Sequence, residues 1–116
     1  MAIWGVLIIS EARENVNNNE EDIAFQIILH AGNAKSLCMD AVKAASENKF
    51  DESDDFFKQA ADELEQAHNC QTDIIRQDIL DKEAKVSLLM VHAQDHVMNA
   101  ITVYDLTLQI AKLYRR

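Results

Sequence analysis

The sequence predicts an all-α protein, an antiparallel up-down-up three-helix bundle, and three observations carry that expectation. The 116 residues include no proline and only two glycines, Gly5 and Gly32, whereas sheets need frequent turns built on those residues. Three long stretches repeat apolar residues at steps of three and four, the spacing of one helix face. The links between them are short, which makes sequential helices antiparallel neighbours. An apolar fraction of 48% beside 27% charged residues is that of a folded soluble chain, and the length suits one domain.

Residues 1–19 read as an N-terminal extension and residues 20–116 as the domain. The apolar run from Met1 to Ser10 lacks a basic start and a small-residue cleavage pattern. It is also far short of the roughly 20 residues that span a bilayer. A cytoplasmic protein with no membrane insertion is expected. The polar tract Glu11 to Asn19 reads as a hinge, leaving two alternatives for the apolar tip: a mobile segment, or a cover over an exposed groove.

Helix one is expected from Asn18 or Asn19 to about Asn48. An Asn cap there precedes Glu20, Glu21 and Asp22, acids suited to the positive end of the helix dipole. Its buried stripe is Ile23, Ile27, Ala34, Leu37 or Cys38, Ala41 and Ala45. Gly32 costs about 1 kcal/mol relative to alanine inside a helix, so its expected use is close approach of another helix or a ligand to the backbone.

After the tight link Asn48-Lys49-Phe50, Asp51 or Ser53 is expected to cap helix two. Its seam is Phe57, Ala60, Leu64, Ala67, Gln71 and Ile74. From Arg76 to Lys85 the clean stripe is lost and a connecting loop is expected. Helix three then runs from about Ser87 to Tyr114, closing on Lys112, Arg115 and Arg116, cations suited to a helix C-terminus.

The net charge of −9, from 20 acidic and 11 basic residues, argues against nucleic acid or an anionic membrane as the main partner and favours a basic protein. Cys38 and Cys70 have no metal-ligand spacing and read as reduced core thiols.

The unusual stretch is Met90 to Asn99. Leu89, His92, His96, Asn99, Val103, Leu106, Ile110 and Leu113 follow at helical steps as an inward seam, so three consecutive seam positions are polar. A second stripe, Leu88, Val91, Asp95, Met98 and Thr102, puts a carboxylate among apolar neighbours. Such groups need partners when buried. Helix three thus carries two apolar faces, and helix one has spare apolar residues at Phe25, Ile28 and Val42, which points to self-association. Copies of Asp95 meeting around an axis would take up protons or bind a divalent cation.

The residues alone leave four chemistries open for His92, Asp95 and His96. One is a hydrogen-bonded polar layer in a non-catalytic helical oligomeric adaptor. Another is a transition-metal site, for which a Glu-x-x-His motif is missing and neither Cys is spaced. Nucleophilic hydrolysis lacks an identifiable nucleophile. The last is phosphoryl transfer, in which a near-neutral imidazole accepts the group on nitrogen.

Met90-Val91-His92-Ala93-Gln94-Asp95-His96-Val97-Met98 resembles the His-x-Gln-Asp-His-x-Met signature of the lactose/cellobiose-type (chitobiose-type) enzyme IIA components of the bacterial sugar phosphotransferase system. Ala31-Gly32-Asn33-Ala34-Lys35-Ser36 and Ala67-His68-Asn69-Cys70-Gln71-Thr72 match two further family motifs, in order, as does the ending Leu113-Tyr114-Arg115-Arg116. The likeness runs from about Glu20 to the C-terminus. It departs at the longer N-terminal segment, at Asn33 where Asp is common, and over Gln77 to Lys85.

The resemblance implies a cytoplasmic homotrimer, a nine-helix assembly. It would accept a phosphoryl group from the phosphocarrier HPr and pass it to a cysteine of the cognate enzyme IIB, and through that to the enzyme IIC permease, for a β-linked disaccharide. Carried over by position, His92 is the phosphorylated residue, with Gln94 and His96 flanking the phosphoryl group. Asp95, one from each subunit, would hold a divalent ion such as Mg2+ on the axis.

Overall fold

The computed structural model describes residues 18–80 and 87–116, and these form three helices: α1 (Asn18–Ser46), α2 (Phe50–Leu80) and α3 (Leu88–Tyr114). The extension assigned to residues 1–19 lies outside the described residues except for its last two, which open α1. No helix among the described residues is long and apolar enough to cross a membrane.

The turn from α1 to α2 is set by Asn48, whose φ of 60° is left-handed. Asn tolerates that conformation better than most residues. It lets the Asn48 N–H donate to the Ala45 carbonyl at 3.1 Å and the Lys49 N–H donate to the Ala44 carbonyl at 2.9 Å. These two bonds satisfy carbonyls that the helix end would otherwise orphan. α2 begins at once, with the Ser53 N–H bonded to the Lys49 carbonyl at 3.0 Å. Lys49 therefore precedes the first turn, and neither Asp51 nor Ser53 is the cap. Asp51 lies in that first turn, and Ser53 is fully buried.

α1 is the central element: it packs along both other helices, which touch each other far less. One half of the core joins Ala24, Ile27, Ile28 and Ala31 of α1 to Ala67 and Ile74 of α2 and to Leu89, Ala93, Val97 and Ala100 of α3. The other half surrounds Cys38, Ala41, Ala45, Phe57, Ala60 and Ala111, with Phe57 edge-on to Tyr104 at 6.1 Å. Alanines are four of the six buried residues of the second half and five of the eleven of the first, so the helix backbones approach closely around a few larger side chains.

Both ends of α3 are tied down. Ser87 caps its start, its hydroxyl oxygen accepting from the Met90 N–H at 3.1 Å and its O–H donating to Glu20 Oε1 at 2.9 Å. That bond sets the starts of α1 and α3 side by side, so the two run parallel. At the far end the Arg115 guanidinium donates to the Phe50 carbonyl at 3.0 Å and to Asp54 Oδ1 at 2.5 Å, and lies 5.0 Å above the Phe50 ring.

The structure corrects four further expectations. The buried seam of α3 is Leu89, Met90, Ala93, Val97, Ala100, Thr107 and Ala111, whereas Asn99, Leu106, Ile110 and Leu113 are exposed. α2 continues through Gln77 to Leu80, because that stretch has no helix breaker; residues 81–86 lie outside the described part. Phe25, Ile28 and Val42 are not spare: Ile28 is buried and the other two pack partly against the core. No helix crowds Gly32, since a Cβ built there meets no atom within 4 Å among the described residues.

Candidate functional site

α3 presents three flanks, and its angular advance of about 100° per residue decides which polar residue lies on each. Ala93, Val97 and Ala100 face the core. His92 and His96, one turn apart, lie together on one flank, both half-buried. Their rings meet edge to face with centroids 4.6 Å apart, and their Nε2 atoms are 3.2 Å apart. At that distance one Nε2–H donates to the lone pair of the other.

Gln94 lies between the two histidines in sequence but about 200° around the helix from His92. Its carbonyl oxygen accepts from the Gln71 amide of α2, and its own amide faces Met90 Sδ at 3.9 Å. Within one chain, then, the structure brings His92 and His96 together and engages Gln94 elsewhere. Gln71 is the polar member of the α2 seam, and its partner is the glutamine of the other motif.

Burial lowers the His96 pKa from the ordinary 6.5, and the charges of His92 and Lys35 add to that effect while Asp95 opposes it. Lys35 belongs to α1, so that influence crosses from one helix to another. His30 faces the other way, its Nδ1 lying 2.6 Å from Glu63 Oε2 of α2. Nothing in the sequence singled out Glu63 as that partner beyond its charge. His68 is exposed, with Thr72 Oγ1 3.5 Å from its Nε2. Neither histidine joins the pair on α3. Cys38 and Cys70 are both free thiols.

Asp95 is exposed and stands on the outer side of α3, opposite the core seam. Leu88, Val91, Met98 and Ile101 around it are also exposed. A carboxylate is a suitable hard ligand for a divalent cation, but one alone is not a site. No group of three His, Cys, Asp or Glu side chains able to hold a metal ion occurs among the described residues of a single chain. The donor type fits Mg2+ only if further copies supply more oxygens.

Comparison with known proteins gives this arrangement its context. The family model described as "PTS system, Lactose/Cellobiose specific IIA subunit" matches residues 22–115. The chain belongs to that family of phosphotransferase-system subunits. It is 44% identical over 101 residues to the lichenan-specific phosphotransferase enzyme IIA component of Bacillus subtilis (strain 168), covering 87% of this chain and 92% of that protein. It is 38% identical over 94 residues to the galactose-specific EIIA component of Lactococcus lactis subsp. cremoris (strain MG1363), covering 81% of each. The crystal structure of the cellobiose-specific enzyme IIA from Bacillus anthracis superposes with a TM-score of 0.81 at 37% identity, covering 88% of this chain and 94% of that one. The matched region of this IIA subunit holds α2, α3 and all of α1 but its first four residues, and leaves residues 1–21 outside.

Proposed function

We propose that this IIA subunit carries a phosphoryl group on His92, receiving it from phosphorylated HPr and giving it to the cysteine of a cognate enzyme IIB. The observation that carries this reading is the His92–His96 pair: a half-buried imidazole whose Nε2 is oriented by a second Nε2 at 3.2 Å.

In the forward step the lone pair on His92 Nε2 attacks phosphorus as the donor's phosphorus–nitrogen bond breaks, its electron pair staying with the donor imidazole. In the next step an enzyme IIB thiolate attacks the same phosphorus, and the bond to Nε2 breaks with its pair returning to His92. Nothing else is made or broken, so positioning and charge stabilisation supply the rate. Burial favours neutral His96, which suits a ring that acts by donating its Nε2–H, first to His92 and then to a phosphoryl oxygen. Gln94 lies on the opposite flank of its own helix, so it would serve this site from a neighbouring copy.

The exposed residues Leu88, Val91, Met98 and Leu106 support self-association through α3, which we read as a homotrimer, since an isolated soluble chain has little reason to show water so much apolar surface. Three Asp95 carboxylates would then share a divalent ion such as Mg2+. When bound, the ion would neutralise their mutual repulsion. The relay would operate in the cytoplasm and serve a β-linked glycoside of the kind named for the lichenan and cellobiose relatives.

Incubation with phosphoenolpyruvate, enzyme I and HPr tests the reading: an acid-labile phosphoryl group should form and pass on to enzyme IIB. A non-catalytic adaptor would accept none.

A further inference from the structure

The acidic balance of the chain leaves open what offsets the charge of an incoming phosphoryl group. Ile28, Gly32 and Lys35 follow one another at steps of four and three and so share one flank of α1. Ile28 is buried in the core cluster that holds Leu89, Ala93 and Val97 of α3, which places this flank along α3. The opposite flank of α1 looks to α2, as the contact of His30 with Glu63 marks. On α3 it is Gln94 that turns toward α2, through Gln71. The His92 and His96 rings are therefore on the side away from α2, where α1 contributes Gly32 and Lys35. Gly32 is half-buried, yet a Cβ there would enter space free of described atoms. A bare backbone on the side of α1 nearest the two imidazoles leaves room for a tetrahedral anion.

We propose that Lys35 is a phosphoryl-binding residue: its ammonium closes over the phosphoryl group on His92 from α1, while Gly32 leaves the room it occupies. The proposal rests on His92 being the phosphorylated residue. The register of the helices supports the placement. The Ser87–Glu20 bond aligns the starts of α3 and α1, so Lys35 lies further along α1 than the histidines lie along α3, and a lysine on a helix leans toward the N-terminal end, here toward their level. Lys35 is exposed and free to swing. A compact ammonium with three donors neutralises phosphate without fixed geometry.

The test compares wild type, Lys35→Met and Lys35→Arg with two donors, phosphorylated HPr and the small donor phosphoramidate, following label on His92. Lys35→Met should accept phosphate about tenfold more slowly from both donors, the scale of one charge-assisted hydrogen bond, with its helix content unchanged. Lys35→Arg should recover most of the rate. Wild-type behaviour of Lys35→Met overturns the proposal. So does a loss seen only with HPr, which would make Lys35 a docking residue. Label on wild type at a residue other than His92 would instead sink the underlying relay, whatever Lys35 does.

Discussion

His96 holds its Nε2 3.2 Å from that of His92 on one flank of α3, while Gln94, between them in the chain, is bonded to Gln71 on the other. The two halves of one sequence motif thus face different neighbours within a chain. His96→Gln, which keeps a donor of similar reach, should retain part of the phosphoryl acceptance, and His96→Ala should lose about tenfold or more. Equal rates for wild type and His96→Ala in a rapid-quench assay would leave the pair without a role.

The Gln71–Gln94 bond predicts a stability coupling. Either glutamine changed to Ala leaves a half-buried partner unpaired and should cost about 1 kcal/mol in urea unfolding, the double change costing less than the sum. Additive losses would mean that the two amides act independently.

Gly32→Ala separates folding from function. The added methyl meets open space and removes the helix penalty of glycine, so the variant should be about 0.5–1 kcal/mol more stable. It should also accept phosphate more slowly, because the methyl takes room that the proposal assigns to the Lys35 ammonium and the phosphoryl group. A stabler variant with an unchanged transfer rate would show that the bare backbone serves only local geometry.

Burial raises the Cys38 thiol above its ordinary 9.0, against a hydrogen bond with Thr107 that lowers it. The folded chain therefore keeps this proton to higher pH than the unfolded chain does. That contribution to stability is complete below the unfolded pKa and is lost as pH rises through the folded one. Unfolding midpoints measured from pH 7 upward should fall more steeply for wild type than for Cys38→Ala. Parallel curves would place the thiol in contact with water.

Much of this was legible in the sequence, for identifiable reasons. Ser87 begins α3 because a hydroxyl before an apolar periodic run is a strong capping signal. Asp95 falls on the outer face because the stripe from Leu88 to Thr102 is itself helical in period. The core seam of α3 was misjudged because periodicity weighs large apolar residues. Here the large ones, Leu106, Ile110 and Leu113, lie outside, and Ala93, Ala100 and Ala111 lie inside against the alanines of α1. Reading a motif as a string also hides that Gln94 and His92 point apart. The sequence gives no sign that α2 continues through Gln77, because the polar run there has no apolar stripe to display.

Asp95→Leu tests the proposed assembly. It exchanges clustered carboxylates for apolar contact, so sedimentation should show an oligomer that persists in chelator, whereas wild type should bind a divalent ion detectable by elemental analysis. A wild type that is monomeric at every concentration would remove the shared site.

The most direct measurement is mapping of the phosphate after labelling from phosphoenolpyruvate through enzyme I and HPr, by mass spectrometry at neutral pH. The account predicts a single acid-labile phosphoryl group on His92 and none on folded His92→Ala. Label on His30 or His68, or label retained by His92→Ala, would contradict it.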